Sequence, residues 1–402
     1  MLTSFIQLYK QAFSGLSKNS WYLSVVMLIN RSGTMVVPFM TIYCVHQLRF
    51  TIVQASIVMM LYGLGSIIGA FAGGKITDRI GFYDLQVIAL LTGGLLFLIL
   101  GYQHTYLTIS IGAFVLSFCN ESFRPANSTA IAHYSNAENK TRSYSLNRLA
   151  VNLGWAVGGA LGGFIASINY HLLFWVDGFT NILAAVLLIT LMPRSKVVNT
   201  FTKPDKSIAG VSPYTDRIYL LFISFGVLFF MCFYQFFIMQ PVFYKISWHF
   251  TEKFIGSLLA LNGLLIALIE MVLIHNLEGK RNGLIYIVSG ILIASLGFVL
   301  LNILPPTALG AIVVVVLITF GEMMSMPFMN AFWIGRSTVN NRGDYAALYS
   351  MTWSTAQVLA PLIGGEIIAY GGFNLLWWVL GGLSLISSAG YFILYRTNYY
   401  SR

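Results

Sequence analysis

Charge is what this 402-residue chain has least of: Asp, Glu, Lys and Arg make up 9% of it, against about 25% in a soluble domain. So few charges cannot cover a surface facing water, which excludes a globular protein of an aqueous compartment. Cysteine is scarce too. Cys44, Cys119 and Cys232 lie inside apolar stretches without metal-ligand spacing, so neither a disulfide scaffold nor a zinc site is expected. No glycine-rich loop ends in Lys-Ser or Lys-Thr, which argues against an ATP-driven pump. No Ser-His-Asp set or His-Asp pair supports an intramembrane enzyme, and a lipid scramblase is an equally remote reading. His46, His104, His133, His171, His249 and His275 fall in loops or at the ends of apolar runs, with no pair at metal spacing. No metal and no cofactor is expected.

What the chain has is hydrophobic length. Apolar residues make up 57%, in runs near 21–44, 52–74, 84–103, 106–131, 143–168, 172–192, 217–242, 253–276, 283–304, 308–333, 344–370 and 373–395. A membrane-spanning helix needs about 20 such residues, so these are twelve spans of an all-α integral membrane protein. They must be helical because lipid offers backbone groups no partners. A barrel would alternate apolar and polar residues over about ten positions instead.

Basic residues set the orientation. Of the 23 Lys and Arg, 17 fall on one side of these spans, three on the other and three inside. Positive loops stay in the cytoplasm, which predicts a plasma-membrane protein, the inner membrane of a bacterium, with both termini cytoplasmic. The net charge of +10 is spread over those loops, where anionic lipid headgroups account for it better than nucleic acid does. Residues 1–18 form a short amphipathic stretch, expected to lie at the interface and lead into the first span.

The one long polar interval inside the chain, Pro193 to Asp216, splits the spans six and six. The expected organisation is a six-helix half at 1–192, a cytoplasmic linker at 193–216 and a second half at 217–402. The halves repeat faintly at an offset of 202: Pro125 matches Pro327, Gly162 and Gly163 match Gly364 and Gly365, and Arg79 and Gly81 match Arg281 and Gly283. Two halves related about an axis along the membrane normal place a substrate site at mid-membrane.

The loop after the second run reads Gly73-Gly74-Lys75-Ile76-Thr77-Asp78-Arg79-Ile80-Gly81. It resembles the signature of the major facilitator superfamily between helices 2 and 3: a Gly, three residues, Asp-Arg, one residue, Gly. With twelve spans split after the sixth, the resemblance covers the whole chain. It implies a conformational latch at Gly74, Asp78, Arg79 and Gly81. The alternative is a solvated loop with an ordinary charge pair. Phe82 and Tyr83 stand where that pattern has basic residues. The fifth run carries Gly154, Gly158, Gly159, Gly162 and Gly163, a small-residue face for close helix packing. It resembles the antiporter motif of the superfamily's drug exporters, with Gly159 where a Pro is usual. Ordinary packing is the alternative.

Ionisable residues inside spans cost a few kcal/mol each and persist mostly by lining a polar cavity. Eight are present: Arg31, Glu121, Arg124, Arg148, Asp177, Glu270, Glu322 and Glu366. Glu121 and Arg124 share a helix face, as do Arg148 and Asn152. Glu322, the repeat mate of Asn120, is the leading proton-coupling candidate, with Glu121 next. A structural pair with an Arg is the alternative for Glu322, and structural roles are open for Asp177, Glu270 and Glu366. Arg31, Arg124, Arg148, Asn152 and Glu270 are candidate substrate contacts, joined by Tyr234 and Gln235 in the aromatic stretch 229–237, which otherwise faces lipid.

Short stretches also resemble the proton-coupled oligopeptide transporters: Phe123-Arg124-Pro125-Ala126-Asn127-Ser128-Thr129, Val151-Asn152-Leu153-Gly154, and Gly321-Glu322 with Pro327. The first run keeps that family's Arg as Arg31 but has Met27 and Asn30, not its two Glu residues. The expected function is therefore proton-coupled secondary transport by alternating access. An exporter of small amphiphilic molecules leads, with a peptide-importing symporter as the alternative. The expected partners are a small-molecule substrate, protons and membrane lipids, and the expected state is a monomer.

Overall fold

The computed structural model describes residues 15–135, 140–194, 212–338 and 341–400. The amphipathic stretch before residue 15 and most of the Pro193–Asp216 linker lie outside them. The described residues form helices joined by short turns, with no strand among them and with eleven apolar segments long enough to cross a membrane. These are Lys18–Gln47, Ile52–Ile80, Phe82–Leu100, Tyr106–Tyr134, Arg142–Ile168, Tyr170–Leu191, Arg217–Ile246, Glu252–Leu277, Gly283–Ile303, Ala308–Arg336 and Asp344–Thr397. The last contains Gly372 with a non-helical backbone (φ 73°, ψ −177°) and holds two spans. That makes twelve, the number expected.

Span starts are written in short polar caps, whose side-chain oxygens satisfy helix-end N–H groups that lipid cannot. Ser17 accepts from the Ser20 N–H, Thr105 from Thr108, Asp216 from Tyr219, Thr251 from Phe254, and Thr307 from Gly310. Between helices in lipid, close packing replaces the hydrophobic effect as the main source of attraction, and small residues permit it.

The chain divides into two compact units, Met1–Phe39 with Leu61–Thr200 and Met40–Met60 with Phe201–Arg402. In the first unit the first span packs on the fifth and sixth, and the third on the fourth and sixth. Its core joins Leu23, Val26 and Met27 to Phe82, Phe123 and Leu188. In the second unit the ninth span packs on the tenth, the eighth on the tenth, and the seventh on the helix that carries the last two spans. Its core is more aromatic, built around Tyr219, Phe222, Phe229, Phe230, Tyr345 and Tyr391.

Candidate functional site: polar clefts within the two halves

In the first unit the ionisable residues gather at a break in the first span. Its first helix, Lys18–Ser32, stops at Gly33, and a second helix starts at Val36. Arg31 sits just before the break, with its Nη1 3.8 Å from Glu121 Oε1 on the fourth span. The other carboxylate oxygen of Glu121 lies 3.4 Å from Arg124, so Glu121 stands between two guanidiniums. A cleft here is lined by Asn30, Arg31, Thr34, Tyr62, Asn120 and Glu121 among others. Arg31 Nε is buried with no hydrogen-bond partner among the described residues.

The glycines of the fifth span explain how Arg31 reaches this place. A Cβ at Gly154 would stand 3.1 Å from the Leu28 carbonyl, one at Gly158 3.1 Å from that of Ser32, and one at Gly162 3.1 Å from Met35 Cβ. The glycine face is thus where the first span lies against the fifth. Arg148 is exposed and Asn152 half-buried on that helix, and neither lines the Arg31 cleft.

In the second unit Glu322 lies midway along the tenth span. Asn262 of the eighth span donates through Nδ2 to Glu322 Oε2 at 3.2 Å and to Thr319 Oγ1 at 2.9 Å. Glu270 is buried two turns farther along the same helix as Asn262, whereas Glu366 is exposed. The Tyr234 ring meets Trp353 edge-on at 5.9 Å. Gln235 departs from expectation: it is 2% exposed, and its Nε2 donates to the Ala360 carbonyl at 2.6 Å. That amide braces the eleventh span beside Pro361 and is closed to a solute in this structure.

The loop signature is split. Gly81, at φ 89°, turns the chain into the third span in a conformation that favours glycine. Gly74 has open space around it. Asp78 and Arg79 are exposed, and no side-chain hydrogen bond or ion pair joins either to another described residue. Phe82 and Tyr83 are buried, with Phe82 5.2 Å from the His133 ring. Asn30, Tyr62, Asn120, Asn181 and Asn262 were not singled out from sequence as site residues. For the four Asn residues the signal was present, since an amide inside a 20-residue apolar run is nearly as conspicuous as a charge.

The Major Facilitator Superfamily profile matches residues 22–354. The chain belongs to the major facilitator superfamily. This facilitator is a transporter and not an enzyme, and its many spans accord with a place in the plasma membrane. Among its relatives, a Na(+), Li(+), K(+)/H(+) antiporter of Planococcus maritimus is 24% identical over 92% of this chain and 93% of that protein. The quinolone resistance protein NorA of Staphylococcus aureus is 21% identical over 51% of this chain and 54% of that protein. Solved structures share the fold. A POT family transporter in complex with a thioalcohol conjugated peptide has a TM-score of 0.78 at 16% identity, covering 96% of this chain and 98% of that one. The nucleoside transporter NupG reaches 0.79 at 12% identity, covering 94% of this chain and 100% of that one.

Proposed function

We propose that this facilitator is a proton-coupled exporter of small amphiphilic molecules, with Glu322 as the proton-carrying carboxyl. One hydrogen bond of Glu322 carries the reading: the Asn262 amide donates to its carboxylate. An amide can also turn and accept from the protonated acid, so the same neighbour serves both protonation states. Protonating Glu121 would disrupt its contacts with both Arg31 and Arg124. An antiporter and a resistance protein among the relatives support export in exchange for protons.

The test is ethidium efflux from proteoliposomes under an imposed pH gradient. Glu322→Gln should abolish uphill transport and spare exchange; uphill transport in that variant would move the proton site to Glu121. Asp78→Asn should slow turnover in a folded protein if the loop acts as a latch. Sodium in place of ethidium tests whether a bare cation is the cargo.

A peptide-importing symporter is the second reading. It is favoured by Arg31 and Glu121, a charge pair in one cleft that could grip a zwitterion. Saturable dialanine binding that disappears in Arg31→Ala, with no response to ethidium, would promote it. The basic-residue asymmetry supports an orientation with both termini in the cytoplasm. A cysteine label at His104 should then react only from outside and one at Ser337 only from inside.

A further inference from the structure

We propose that the first span is a hinged helix and that Asp177 of the sixth span is its pin, a positioning residue of the transport cycle. Asp177 is fully buried. Its carboxylate accepts from the Met35 N–H at 3.0 Å and from the Val36 N–H at 2.8 Å. Among the described residues these two N–H groups are its only side-chain hydrogen-bond partners. Both open the second helix of the broken span, which a carboxylate suits by taking up its first unsatisfied donors.

The joint is fixed on the side of the first helix as well. Asn181, one turn beyond Asp177, accepts from Asn30 at 2.9 Å and donates to the Asp177 carbonyl at 2.8 Å. Two adjacent turns of the sixth span thus hold the two sides of the break separately, Asn181 the first helix and Asp177 the second. Gly33 between them leaves no room for a side chain, since a Cβ there would stand 2.7 Å from Thr180 Cβ. The fifth span offers the joint a glycine track at Gly154, Gly158 and Gly162, over which a helix can tilt without interlocking side chains.

Gly33, Thr34 and Met35 lie outside both helices of the span, a joint short enough to let one helix swing against the other. Hinges are a few element-terminal residues that absorb such motion. The seventh span also breaks, at Met239, but that break is closed by backbone alone, Met239 N–H to the Gln235 carbonyl and Phe243 N–H to the Met239 carbonyl. The inference needs only alternating access and is independent of which carboxyl carries the proton.

The test pairs transport with distance. Cys44, Cys119 and Cys232 are replaced by Ala, and spin labels are placed at the exposed positions Trp21 and Gln47, roughly 39 Å apart in a straight helix. Double electron–electron resonance in nanodiscs, at about pH 6 and about pH 8 and with or without ethidium, should give two distances in the wild type whose ratio shifts with conditions. Asp177→Ala should collapse them to one. The same variant should lose about ten-fold in Vmax with KM within about two-fold, the mark of a conformational step.

One unchanging distance in the wild type overturns the hinge, and two distances unaffected by Asp177→Ala overturn the pin. A raised KM at normal Vmax would also overturn the pin, because Asp177 would then shape the substrate cleft. If Asp177→Ala does not fold, Asp177→Asn, which keeps one acceptor, and the wild-type distances decide. Failure to export ethidium sinks the proposed function and leaves the hinge standing.

Discussion

In the amino-terminal half, the start of the first span is tied to its neighbours by hydroxyls: Ser17 Oγ donates to the Tyr134 carbonyl at 2.9 Å, and Ser20 and Ser143 share a 3.2 Å bond. In the carboxy-terminal half the matching place is ionic. Asp216 caps the seventh span and takes both Nε and Nη2 of Arg336, the latter at 2.8 Å, with the Tyr345 hydroxyl donating at 2.8 Å. Tyr219 closes the group by donating to the Tyr345 carbonyl at 2.6 Å. Tyr134 and Arg336, Ser143 and Tyr345, and Ser17 and Tyr219 are repeat mates at the offset of 202. One helix junction, present twice, is held by weak neutral bonds in one copy and by a partly buried ion cluster in the other.

The comparison breaks most readily at Asp216. Asp216→Ala leaves Arg336 and the Tyr345 hydroxyl without their acceptor and should cost about 3 kcal/mol, read as a large fall in the thermal midpoint of the purified protein. An unchanged midpoint would mean that the ionic copy holds no more tightly than the hydroxyl copy.

Acidity gives the next effect. Burial pushes the Asp216 carboxyl up, but hydrogen bonds from Arg336, Tyr345 and the Tyr219 N–H outweigh it and hold it below the usual carboxylate range. Its folded value lies below its unfolded one of about 4. The stability it adds is therefore complete above that value and is lost as pH falls through the folded value. Thermal midpoints should show no pH dependence from this group between about pH 5 and 8, where its contribution is full, and an acid decline that Asp216→Asn diminishes.

Tyr345→Phe removes one bond to a charged acceptor and should cost about 1 to 2 kcal/mol. The smallest change belongs to the hydroxyl copy, where Ser143→Ala should cost about 1 kcal/mol or less. A larger loss there than in Tyr345→Phe would reverse the ranking of the two junctions.

The twelve spans were legible because each is a run of apolar residues long enough to cross lipid, and the caps because Ser, Thr, Asn and Asp precede those runs. Arg31, Glu121 and Arg124 could be picked out singly because charge inside a span is costly. The Glu121–Arg124 pair was readable from its spacing of three, but the approach of Arg31 was not, since it joins the first and fourth spans. Gln235 resembled a substrate contact by type and place, yet it braces Ala360, because side-chain direction on a buried helix depends on which neighbour packs there. Asp216 and Arg336 passed unnoticed, being 120 residues apart at span ends, where charges are ordinary.

What the sequence by itself determined is the solvent, the number of helices, the sites of their starts and the family. These follow from the local balance of apolar length against polar caps. What only the tertiary structure decided is which polar groups share a cleft and which N–H groups Asp177 takes. The break at Gly33–Met35 is stabilised by a carboxylate about 140 residues away in the chain, and no local propensity encodes a bond across that distance.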